Sequence, residues 1–73
     1  MDEQGPRAMD WIPDTTGRMF TLTVGDCQGM VIHASTGEWI ALLSRNGKAE
    51  GHRRCVGLVE AQAWCEAQIA QLS

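Results

Sequence analysis

The feature that most constrains this chain is its last periodic stretch, Gly57 to Leu72, read G-L-V-E-A-Q-A-W-C-E-A-Q-I-A-Q-L. Leu58, Ala61, Cys65, Ile69 and Leu72 recur at intervals of three and four, so on a helix they form one stripe. Ala63, Ala67 and Ala70 fall roughly opposite, where strong helix formers without bulk suit a solvent-facing side. Gly57 serves as a modest N-cap, and Glu60 at N3 lies near the positive end of the helix dipole. Trp64 sits at the flank of the stripe, placed to seal the edge of whatever the helix packs on. A helix with one apolar stripe must bury it, so the upstream chain has to supply the cover.

That cover reads as a small sheet. From Met19, the residues Phe20, Leu22 and Val24 alternate with Thr21 and Thr23, the period of a half-buried strand. Gly25-Asp26-Cys27-Gln28-Gly29 reads as a turn with glycine at each end, followed by a second strand from Met30 to Ala34. Ser35-Thr36-Gly37 closes that strand, and Glu38 to Ser44 forms a third. Arg45-Asn46-Gly47-Lys48 then carries an Asn-Gly turn signal, and His52 to Val56 can add a short extended piece before the helix. Short turns between successive strands imply an antiparallel meander. The expected fold is therefore α+β, a three-stranded antiparallel sheet with the C-terminal helix packed on one face, spanning residues 18–73. Residues 1–17 combine Asp2, Glu3, Asp10 and Asp14 with Gly5, Pro6 and Pro13, which reads as a flexible acidic arm. Within it, Trp11 and Ile12 either fold back onto the domain or meet a partner.

One helix covers one face of such a sheet. If Phe20, Leu22, Val24, Met30, Ile32, Trp39, Ala41 and Leu43 face the helix, strand alternation leaves Val31, Ile40 and Leu42 outside, with Thr21, Thr23 and His33 beside them. Such a face is too apolar to stand in water, and the arm, a second copy or another protein would cover it.

At 73 residues the chain makes one domain with a thin core. A net charge of −3 argues against a broad phosphate-tracking surface, though not against a local one. The local candidate is Arg45, Lys48, His52, Arg53 and Arg54, with Glu50 among them, and no aromatic is interleaved for base stacking. No apolar run is long enough for a membrane span and no secretory leader is recognisable, so a cytoplasmic location is expected. Cys27, Cys55 and Cys65 are odd in number and lack a C-x-x-C pair, which fits reduced structural thiols better than disulfides or zinc. None of the familiar nucleophile, metal or phosphate-loop motifs is present, so neither an enzyme, a cofactor nor a small-molecule substrate is expected.

Gly37-Glu38-Trp39-Ile40-Ala41, then Gly47, then Leu58-Val59-Glu60-Ala61-Gln62-Ala63-Trp64 resembles a recurrent pattern of small β-β-β-α modules in phage and bacterial proteins. Among these are the arm-type DNA-binding domains of tyrosine integrases. The resemblance spans roughly Phe20 to Leu72 and implies a phage or mobile-element context. The residues themselves point first to a non-enzymatic protein-interaction module, meeting a protein partner or its own copy through Trp11, Ile12, Val31, His33, Ile40 and Leu42. The alternative is a nucleic-acid-binding module acting through Arg45, Lys48, His52, Arg53 and Arg54.

Overall fold

The structure, a computed structural model, describes residues 11–72. It is an α+β domain with five strands in sequence order: β1 (Ile12–Pro13), β2 (Met19–Val24), β3 (Cys27–His33), β4 (Trp39–Arg45) and β5 (Lys48–Cys55). All neighbours pair antiparallel, and helix α1 (Leu58–Leu72) packs across one face. The meander and its C-terminal helix are as the pattern implies; the strand count rises from three to five.

Both additional strands lie at the edges. Residues 11–17, expected in the arm, are instead a short strand and a turn, while residues 1–10 lie outside the described residues. Pro13 is tolerated in β1 because an edge strand need not donate on its open side. Asp14 holds the turn that follows: its carboxylate accepts from the Thr16 amide at 3.1 Å and the Thr16 hydroxyl at 2.9 Å, and its amide donates to the Met19 carbonyl at 2.9 Å. At the other edge, the Asn-Gly turn carries φ of 54° at Asn46 and 80° at Gly47, the left-handed pair of a type I′ turn. That turn feeds an eight-residue strand, which reaches well beyond the expected His52–Val56 piece.

The second expected strand is corrected in both start and phase. Val24 pairs with Cys27, so only Gly25 and Asp26 form the turn, and Gly25 has a φ of 61°. The pairing Leu22–Gly29–Leu43–Gly51 then runs across the helix side. It carries Cys27, Val31 and His33 to the helix and sends Met30 and Ile32 outward. Val31 is 0% exposed, within a cluster of Ala41, Cys55, Ala61 and Cys65. Phe20, Leu22, Trp39, Ala41 and Leu43 do face the helix, and Ala61, Cys65 and Ile69 of the stripe are its buried residues.

Gly29 is a strand residue, and the helix sits directly above it. A Cβ there would lie 3.1 Å from Cys65 Cβ, 3.3 Å from Cys65 Sγ and 3.4 Å from the Trp11 ring. Gly51, in the same cross-strand row, lies beneath Trp64, where an added Cβ would meet the ring at 3.7 Å, an ordinary contact distance. Tryptophans thus seal both flanks of the helix, and Trp11 Nε1 donates to Glu66 on α1 at 2.8 Å. Gly29→Ala should lower stability by about 1–3 kcal/mol through overpacking, because the colliding atoms are helix Cβ and ring carbons with little room to move. Gly51→Ala meets only ordinary contact and serves as the control. Urea midpoints of the two variants check this, the first shifted clearly more than the second.

Candidate interaction surface

The face turned away from α1 is built by strand alternation. Ile12, Thr21, Met30, Leu42 and His52 form one cross-strand row, and Met19, Ile32, Ile40 and Arg54 form the next. Met19, Met30, Ile32 and Ile40 are half-buried by their neighbours, Leu42 is 37% exposed and Ile12 67%. Six apolar side chains are therefore contiguous on a face that no described element covers.

A hollow of about 320 Å³ opens on this face between β3, β4 and β5, lined by Gln28, Met30, Leu42, Ser44, Ala49 and His52 among others. Its cause is local. The β4–β5 ladder slips at Leu43/Ser44, leaving Glu50 as an extra residue in β5, and Gly47, Ala49 and Gly51 around the slip have little or no side chain to fill the space.

The expected interaction residues separate between the faces. Ile12, Ile40 and Leu42 lie on the outer side. Trp11 folds back onto the helix side, resolving the alternative left open for it, and Ile12 points the other way because successive residues of a strand alternate. Val31 and His33 are corrections to the expected outer face. Val31 is core, and His33 stacks on Trp39 at 4.6 Å and 19° on the helix side. Their displacement follows from the two-residue turn at Gly25-Asp26, which sets the phase of β3. Met19, Met30 and Ile32 are the outer residues missing from the sequence reading.

The basic set is likewise divided. His52 and Arg54 pair with the outward Leu42 and Ile40, whereas Arg53 pairs with the inward Ala41 and Lys48 with Arg45 at the hairpin tip. Arg54 Nε lies 4.0 Å from Glu38 and Arg45 Nε 3.6 Å from Asp26, both exposed pairs of small energetic weight. Five basic residues that are near neighbours in sequence thus point to two faces and a turn.

All three cysteines are buried free thiols, and no group of three metal-ligating side chains occurs among the described residues. Burial pushes the Cys65 thiol up to about 11, and its Sγ donates weakly to the Leu42 carbonyl at 3.7 Å. Burial also raises Cys27 and Cys55, helped by Asp26 and Glu60 respectively. Protonated, enclosed thiols act as small hydrophobes rather than nucleophiles. No helix among the described residues is long and apolar enough to cross a membrane. Comparison with protein-family models, curated proteins and solved structures finds no match.

A thiol whose folded pKa is raised contributes stability that is intact below its unfolded value, near 9, and is lost as pH rises through about 11. The urea midpoint of the wild type should fall across that window. Cys65→Ala should show a shallower fall, and equal slopes would mean that Cys65 ionises freely in the folded state.

Proposed function

We propose that this domain is a non-enzymatic protein-interaction module that engages a protein through the outer sheet face. The observation that carries this reading is the contiguous patch of Ile12, Met19, Met30, Ile32, Ile40 and Leu42, which has no intramolecular cover among the described residues. Three or more neighbouring aliphatics on so small a domain are an aggregation liability unless a partner takes them out of water. The hollow at the bulge gives the face relief, a feature that a contact surface uses to admit a side chain.

The experiment is the double variant Ile40→Lys with Leu42→Glu. Both sites are on the outer side, so the circular dichroism spectrum should stay that of the wild type. Association by light scattering, or capture of a purified partner, should be lost. Wild-type association should also change little with salt, because apolar burial rather than ion release drives it. A folded double variant that associates as the wild type does would place the contact surface elsewhere.

A further inference from the structure

The outer face carries a knob at one edge, a hollow at the other, and opposite charges at matching positions. In the row Ile12–Thr21–Met30–Leu42–His52, the most exposed apolar side chain stands on β1 and the hollow lies at the Leu42–His52 end. Beyond the Met19 end of the next row, Met19–Ile32–Ile40–Arg54, stands Asp14, just past β1, its amide donating to the Met19 carbonyl and its carboxylate accepting from Thr16. The first row crosses all five strands with β3 at its centre, and Asp14 extends the four-strand second row to the same width.

We infer that the occupant of this face is a second copy of the same chain, stacked sheet on sheet about a two-fold axis running along β3. Such an axis lays β1 of one copy over β5 of the other without moving either row along the strand. Ile12 of each copy then enters its partner's hollow beside His52, the acidic turn at Asp14 lies over the partner's Arg54, and Met30 and Ile32 meet their own equivalents at the centre. An axis across the strands instead would put β5 over β5 and bring the two basic Arg53–Arg54 edges together, so charge selects the first arrangement.

The dimensions allow it. Five strands at ~4.8 Å and about seven residues at ~3.3 Å give a face of roughly 20 by 20 Å, so pairing buries on the order of 1,000 Å² in total, the lower range of a specific interface. The ~30° angle between aligned stacked sheets shifts strands ~10 Å from the axis by about 5 Å, within reach of an arginine. Edge-to-edge pairing is the less favoured route, because β1 is two residues long and β5 is blunted by Lys48, Glu50, Arg53, Arg54 and a bulge.

This inference rests on the outer face being the contact surface, and the experiment separates the two claims. Ile12→Cys and His52→Cys are exposed changes, and the native thiols are buried, so a short bis-maleimide reports only the new positions. Wild-type protein should scatter as twice the 8.0 kDa chain. Mixing the two single-cysteine proteins should give a cross-linked dimer, and each alone should give little, since equivalent edges lie about 20 Å apart in the stacked pair. Cross-linking of His52→Cys with itself would overturn the orientation. A monomeric wild type would overturn self-pairing while leaving the face to a different protein. A dimer that survives Ile40→Lys with Leu42→Glu would overturn the reading of the face itself.

Discussion

The structure depends on how closely α1 can approach the sheet, and one residue sets that distance. Gly29 lies so close under Cys65 that a further carbon would sit 3.1 Å from it, and Trp11 closes over the same spot. Other small residues lie along the same contact: Ala41 and Ala61 are fully buried, and Gly51 occupies the same row two strands away. A thin domain gains most of its stability from contact between helix and sheet, so replacing side-chain bulk with close approach keeps dispersion contacts dense where few large residues are available. Trp11 and Trp64 then exclude water from the two flanks. The Trp11–Glu66 hydrogen bond satisfies the indole N–H and ties the residue before β1 to α1.

The outer face is a consequence of the same arrangement. Once Gly29 is on the helix side, the strand period assigns Val31 inward and Met30 and Ile32 outward. The apolar run Met30-Val31-Ile32 cannot be buried on a single side, so the one helix among the described residues covers Val31 and leaves Met30 and Ile32 on the other face. The apolar outer face is thus fixed by core packing, and the hollow by the bulge at Glu50 in β5. The proposed function and the proposed self-pairing both follow from geometry that the core imposes.

Much of this was legible in the residues. The α1 stripe, the phases of β2 and β4, the Asn46-Gly47 turn and the antiparallel meander all come from periodicity and turn chemistry. Strand β3 resisted because three consecutive apolar residues carry no alternation from which to read a phase, and Gly29 looked like a turn residue. The deciding signal was Gly25-Asp26: glycine at the first central position is the mark of a two-residue hairpin, which pairs Val24 with Cys27 and places Val31 inward. β5 was hidden because Lys-Ala-Glu-Gly-His-Arg-Arg has the composition of a loop, although a type I′ turn after a seven-residue strand calls for a partner of similar length. β1 was hidden by its brevity and by Pro13. The division of the basic residues between two faces follows from β5 being a strand at all.

The central claim is the phase of β3, because the core, the outer face and the interaction reading all turn on it. Two single variants test it directly, Val31→Lys and Ile32→Lys, compared by urea unfolding. A charge forced into the Val31 site has no partner and no water, so that variant should be largely unfolded. The Ile32 variant should fold with a midpoint near the wild type, because its side chain leaves the sheet on the open side. A folded Val31→Lys protein beside an unfolded Ile32→Lys protein would contradict the account.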